Sequence, residues 1–311
     1  MRRPRPSRSA GHTGVVVRDV TLIGVPYNSA GRPDGVARAP DALRAAGLAD
    51  GISDAGDVKF GSMGPRRDPS GVIDEAALGA MTASVGTVVA ETLATGKAPL
   101  VVGGDCPVLL GCLLGATRDV RELGLLFVDG HKDAWPPHLS QTGEAADMEL
   151  GFALGMHTGD LGEEVRGRLP VLDPNDVVVL GPRDRREIED GNGTSLRGTV
   201  ELHSWEELRR GSDRVAEAAA RSLHRRVGRW WLHVDLDVLS TEALPAIDYP
   251  QDGGLSWSEL KAMTHAAMAV PGCLGLDVTI YNPDLDPEGI HAGPIAGYIR
   301  GAAPYLSSAL A

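Results

Sequence analysis

Two short acidic clusters sit directly behind apolar runs. Asp129-Gly130-His131-Lys132-Asp133 follows residues 123–128, and Asp235-Leu236-Asp237 follows residues 230–234. In extended backbone, residues two apart point to the same face. Asp129, His131 and Asp133 therefore project together if the strand runs on through them, as do Asp235 and Asp237. Four carboxylates and an imidazole at the edge of an apolar core are hard to reconcile with folding unless cations neutralise them. The pattern implies a metal site for two ions, and with it a metal-dependent hydrolase. Ions held by shared carboxylates lower the pKa of a bridging water until hydroxide is available near neutral pH. Aspartates with an imidazole suit Mn2+, Zn2+ or Fe2+, whereas an all-oxygen set suits Ca2+ or Mg2+. A lone aspartate after a strand reads as a helix N-cap. That explains one aspartate per element, not three donors on one element and two on another.

The rest of the chain alternates strand and helix signals. Strands are expected at residues 17–25, 99–102, 124–128, 177–180, 200–203, 230–234 and 273–280. Helices are expected at 40–47, 74–95, 107–116, 143–156, 213–226, 256–269 and 292–310, the last interrupted at Pro304. Ser204 with Glu207 forms a capping pattern, and Ser256 is the expected N-cap of its helix. Residues 184–198, charged and glycine-rich, read as a surface loop. Such alternation predicts an α/β fold, a three-layer α/β/α arrangement around a mostly parallel sheet. Ligands in these folds sit at the carboxyl ends of the strands. Gly103-Gly104-Asp105, the two acidic clusters and Gly181-Pro182-Arg183-Asp184 all fall there. With no internal repeat and no long linker, residues 18–311 read as a single domain behind a disordered basic tail, 1–17, carrying Arg2, Arg3, Arg5 and Arg8.

Composition narrows the partners. A net charge of −12 argues against nucleic acid or an anionic membrane. The three cysteines, Cys106, Cys112 and Cys273, form no disulfide framework and suggest a reducing, cytoplasmic setting. No apolar run approaches the length of a membrane span. A small-molecule substrate is the expected partner.

From about Val20 to its end the chain resembles the ureohydrolase family of arginases, agmatinases and related amidinohydrolases. Leu22-Ile23-Gly24-Val25-Pro26, Gly35 and Pro40 resemble the family's opening. Val101-Val102-Gly103-Gly104-Asp105 resembles its Gly-Gly-Asp-His-Ser turn, and Asp129-x-His131-x-Asp133 its Asp-Ala-His-x-Asp. Asp235-x-Asp237 with Gly253-Gly254-Leu255 resembles its Asp-x-Asp and following turn. Asp277 and Asn282-Pro283 resemble its last strand. The resemblance implies an arginase-like fold and one or two divalent ions, Mn2+ first. It also implies a homo-oligomer, trimer or hexamer. It implies that Asp129 and Asp235 bridge both ions, that His131 and Asp237 complete one site, and that Asp133 and Cys106 serve the other. Cys106 stands where the family has histidine. As a thiolate it favours Zn2+ or Fe2+; as a thiol it is a small buried residue.

Departures from the family fall in the substrate pocket. Ile280 replaces the glutamate that faces the guanidinium. Ala146 or Asp147 stands where the catalytic histidine is expected, and Trp135 replaces an asparagine. Ile247-Asp248-Tyr249 fill a turn that is glycine-containing in the family. Losing that glutamate removes a charge-assisted bond of about 1.5–3 kcal/mol. Candidates to compensate are Glu144, Asp147, Glu149 and Asp184. The first three each read, taken singly, as a solvated helix face, while Asp184 matches a substrate-contacting aspartate. Asp237 is the expected proton-transfer residue. His138 is either a proton shuttle or an exposed loop histidine, and Lys132 alternates away from the ligand face and reads as structural. The expectation is hydrolysis of a linear C–N bond in a guanidino, amidine or amide compound by a metal-bound hydroxide. Two alternatives are a catalytically altered or inactive protein with a binding or assembly role, and a single-metal deacylase using Asp129, His131 and Asp235.

Overall fold

In the computed structural model, the described residues are 19–308 except 119, 121, 171 and 192. The expected basic tail, 1–17, lies outside them. One sheet of eight strands organises the chain: β1 (Val20–Val25), β2 (Ser53–Asp57), β3 (Ala98–Gly103), β4 (Gly124–Val128), β5 (Val177–Leu180), β6 (Glu201–His203), β7 (Trp230–Asp235) and β8 (Cys273–Thr279). Their order across the sheet is β2-β1-β3-β8-β7-β4-β5-β6, and every pairing is parallel.

The strands alternate between two cores. In β4, Leu126 and Val128 join helices Ser212–Val227, Trp257–Met268 and Ala292–Ser308 on one face. Leu125 and Phe127 join Glu75–Ala94 and Val108–Ala116 on the other. This is the expected three-layer fold. A central strand covered on both faces has no polar side, so β4 reads Gly-Leu-Leu-Phe-Val with every residue buried. Trp257–Met268 opens with a complete capping box between Ser256 and Glu259.

Several expectations need correction. Strand β2 carries no apolar alternation, only Ser-Asp-Ala-Gly-Asp, because it is an edge paired to β1 alone. Arg44 anchors it through Asp54 and Asp57. Residues 184–198 contain a helix, Arg185–Gly191. The helix expected over 143–156 is a short 3-10 turn, Ala145–Asp147, then Glu149–Ala153. The last helix passes through Pro304 without interruption. Glu75–Ala94 does have the length and composition of a membrane span, contrary to the reading of the apolar runs. It is a core helix here, with Leu78, Met81, Val85 and Val89 at 0% exposure.

The Gly-Gly-Asp turn after β3 shows why glycine stands there. A Cβ on Gly104 would lie 2.0 Å from the Tyr27 carbonyl oxygen, so the backbones of the β1 and β3 exits could not approach. Gly104→Ala is expected to cost about 3 kcal/mol, the upper part of the overpacking range, read as a lower urea midpoint. An unchanged midpoint would show that the turn can shift.

Candidate metal centre

The site gathers at the carboxyl ends of four neighbouring strands, β3, β8, β7 and β4. The first acidic cluster lies beyond β4, and of the second only Asp235 belongs to its strand. After Val128 the chain turns, and Asp133 stands at φ 40°, a left-handed position that aspartate tolerates. After Asp235 comes a single 3-10 turn, Leu236–Val238. The side chains converge because turns gather them, not because an extended strand aligns them.

Asp129 is at 0% exposure. Its Oδ1 accepts from the His131 amide at 2.6 Å, while its Oδ2 has no hydrogen-bond partner. His131 Nδ1 lies 2.6 Å from Asp237 Oδ2, and the Gly130 amide donates to Asp237 Oδ1 at 2.9 Å. Asp235 Oδ1 accepts from the Asp237 amide at 2.6 Å, and its Oδ2 lies 2.5 Å from Cys106 Sγ. Arg183 braces this turn by donating to the carbonyls of Asp237 and Leu239, at 2.7 and 3.2 Å. Asp105, from the Gly-Gly-Asp turn, does not enter the cluster. It binds Ser29 and the Cys106 amide and locks the β1 and β3 loops together.

Among the described residues two groups of donor atoms emerge, each with all its atoms within 4.8 Å of one another. One is Asp129, His131 and Asp237; the other is Cys106, Asp129, Glu149 and His233. Asp129 belongs to both. Of the ligands expected from the sequence, Cys106, Asp129, His131 and Asp237 fall in these groups. Asp133 and Asp235 line the same cavity as His131 and Asp237. Glu149 and His233 were not expected as ligands. Glu149, expected on a solvated helix face, is at 0% exposure because its whole short helix is buried. His233 lies inside β7, two residues before Asp235. Period-two alternation placed it on the Asp235 face, a signal available in the sequence.

Electrostatics follow from this burial. Burial, then neighbouring carboxylates, pushes Asp129, Asp133, Asp235 and Glu149 well above the ordinary acid range. The Cys106 thiol is pushed up by burial, then by Asp235 and Glu149. Burial also opposes ionisation of Asp237, but His131 and the Gly130 amide outweigh it and hold that carboxyl below its usual value. So many proton-holding carboxyls around one ionised aspartate fit a divalent-ion centre. Ions would replace the protons, and the buried donor atoms of Asp129, Glu149 and His233 are the ones they would use.

A cavity of about 570 Å³ opens onto Cys106, His131, Asp133, Asp235 and Asp237. Its walls include Trp135, Ala146, Asp147, Asp248, Tyr249 and Ile280. Asn282, of the Asn-Pro pair, holds Asp248 at 2.6 Å. Ile280 stands at φ 73°, a conformation costing a β-branched residue roughly 1–3 kcal/mol. The Ile280 amide donates to the Gly104 carbonyl at 2.7 Å, which ties this bend to the Gly-Gly-Asp turn.

Asp184 is 3% exposed. Both its oxygens bind Lys132, Oδ1 by the ammonium and Oδ2 by the amide at 3.0 Å, so Lys132 is a buried partner tying the 129–133 loop to the exit of β5. His138 is exposed and outside the cavity lining.

The arginase family's sequence profile matches residues 18–300. The chain is 27% identical to arginase of Bacillus caldovelox over 263 residues, 81% of this chain and 85% of that protein. It is 27% identical to human arginase-1 over 289 residues, 86% of each. The native structure of the Bacillus caldovelox arginase superposes with a TM-score of 0.78 at 25% identity, covering 92% of this chain and 98% of that one.

Proposed function

Since the chain belongs to the arginase family, we propose that it is a metal-dependent hydrolase of linear carbon–nitrogen bonds, acting on a guanidino, amidine or amide small molecule. The observation that carries this reading is Asp129, a buried carboxylate common to two donor groups whose members Cys106, His131 and Asp237 line an open cavity. Bound divalent ions would supply a water of lowered pKa and a positive field for charge developing on the attacked carbon. Asp129, His131 and Asp237 would hold one ion, and Cys106 and the remaining carboxylates the other. Asp237, fixed by the Gly130 amide, would orient the attacking water and assist its proton transfer. Trp135 and Ile280 would exclude bulk water and flank the planar group. Asp147 and Asp248 would attract its cationic end in place of the glutamate that Ile280 replaces. Asp184 would act through Lys132 by holding the ligand loop, and His138 takes no step.

A second reading, a catalytically altered or inactive protein that binds a ligand or serves assembly, is favoured by one observation. His131 is the single histidine among the described cavity-lining residues, and Ala146 and Ile280 present apolar walls. Turnover decides between the two. The metal-reconstituted protein should release urea or ammonia from members of a guanidino, amidine and amide panel, and chelation or Asp235→Ala should abolish it. Inactivity of the metal-saturated protein across the panel would overturn the hydrolase reading.

A pH test probes the cationic-substrate element. Burial, then Asp105 and Asp147, raises the Glu144 carboxyl from 4.5 to about 7. Glu144 hydrogen-bonds Tyr249, a wall of the cavity, so its ionisation as pH rises from 6 to 8 makes the potential there more negative. KM for a cationic substrate should fall severalfold over that range, and Glu144→Gln should flatten the fall. The same shift means Glu144 contributes stability at low pH and loses it as pH rises from about 4.5 to about 7. A KM that rises over that range would contradict the acidic-mouth reading.

A further inference from the structure

The inner donor group contains residues with no counterpart among the expected ligands. We propose that Cys106, Asp129, Glu149 and His233 form a closed, four-ligand, thiolate-containing site for a Zn2+-type ion, while Asp129, His131 and Asp237 form an open site. This rests on the metal-centre part of the proposed function and not on turnover.

The geometry carries it. One donor atom from each of the four residues lies within 4.8 Å of every other, and all four residues are buried. Asp129 Oδ2 and His233 Nε2 face one another at 3.9 Å with no hydrogen-bond partner, Glu149 meets the Asp133 carboxyl, and Glu149 and His233 are at 0% exposure. An unsatisfied buried imidazole nitrogen and carboxylate facing one another are costly unless an ion lies between them.

His233 is oriented for this use. Its Nδ1 lies 2.5 Å from Asp277 Oδ2, and Asp277 Oδ1 accepts from Trp231 Nε1 at 2.6 Å. Phe127 stacks on the ring at 4.7 Å between centroids. A carboxylate on Nδ1 keeps the proton there and leaves the Nε2 lone pair for a metal, the usual arrangement around histidine ligands.

The donor chemistry selects the ion. One thiolate, one imidazole and two carboxylates favour Zn2+, and Co2+ as its spectroscopic substitute, over Mn2+. On ion binding, Cys106 would release its thiol proton and Asp129 and Glu149 their carboxyl protons to solvent, each gaining a bond to the metal, with no redox change. Four protein ligands complete a tetrahedral shell, whereas three leave a position for water or substrate. The inner ion would then hold the site together, and the outer one would face the cavity.

The test uses the full chain stripped of metal and titrated with Co2+. Wild type should bind two ions per chain, one with a sulfur-to-cobalt charge-transfer band in the near ultraviolet. Cys106→Ser should abolish that band while visible cobalt bands from the outer ion persist. Glu149→Gln and His233→Gln should each remove the inner ion or weaken it at least 100-fold. Asp277→Asn, which leaves every ligand in place, should keep the band and weaken the inner ion 10–100-fold. Circular dichroism checks that each variant is folded. Two bound ions with no charge-transfer band, or unaltered inner binding in Glu149→Gln and His233→Gln, would overturn the inner site and leave the hydrolase reading standing. No Co2+ binding at all would overturn both.

Discussion

Asp129→Asn is expected to shift the stability of the metal-free and metal-saturated proteins in opposite directions. Without ions, Asp129 is a fully buried carboxyl facing other carboxyls, held protonated by burial and by Asp133 and Asp237. Asparagine cannot ionise, can still accept from the His131 amide, and can donate toward the neighbouring oxygens. The metal-free variant should therefore melt at or above wild type. The gain should grow with pH, because an acid whose folded pKa is raised loses stability as pH climbs from 3.8 upward. With ions present the sign reverses. A metal at a thousandfold excess over its dissociation constant stabilises the native state by about 4 kcal/mol, roughly 8 °C at this chain length. Asp129 belongs to both donor groups, so its variant should lose most of that protection, with turnover falling at least 1,000-fold. Paired melting curves with and without Zn2+ or Mn2+ measure both signs. A variant less stable than wild type in both states by the same amount would show that Asp129 is merely structural.

Lys132→Met should be the most damaging single change to the metal-free fold. The ammonium and amide of Lys132 engage both oxygens of Asp184, and the residues are 6% and 3% exposed. Removing one partner of such a pair leaves an uncompensated charge and costs about 3–5 kcal/mol. Adding Asp184→Asn in the same chain should recover most of that loss, since the pair is then neutral. The pair also positions the site, because Lys132 lies between His131 and Asp133. Metal affinity should therefore fall in step with stability in Lys132→Met and return in the double variant. If Asp184 instead touches substrate, Asp184→Asn will raise KM with no change in melting temperature or metal affinity. Denaturant unfolding, metal titration and steady-state kinetics on the three variants separate these outcomes.

Much of this was legible because central parallel strands leave a strong trace. In β4, β5 and β7 every residue is buried, so their apolar runs stop where the cavity begins, and the aspartates mark the stop. The edge strand β2 left no trace because its side chains face water and Arg44 rather than the core. The donors Cys106, Asp129, His131 and Asp237 were legible from spacing and resemblance. The reason they converge was not, because turns at Asp133 and Leu236–Val238, not continued strand, bring them together. Glu149 was hidden by the habit of placing glutamates on wet helix faces. Its neighbours Leu150, Phe152 and Ala153 are all buried, and a five-residue helix that is buried all round has no wet face. His233 was hidden inside an apolar strand, though its place two residues before Asp235 pointed it toward the same cluster. The pairing of Lys132 with Asp184 joins residues 52 apart in the sequence, and no local pattern encodes it.

The most direct measurement is anomalous diffraction from crystals soaked with Zn2+ or Mn2+. The expected result is two peaks roughly 3.5–4 Å apart. The carboxylate of Asp129 should lie between them, His131 and Asp237 on one and the Cys106 side on the other. A saturated crystal with no peak touching Asp129 would contradict the metal centre and, with it, the hydrolase reading.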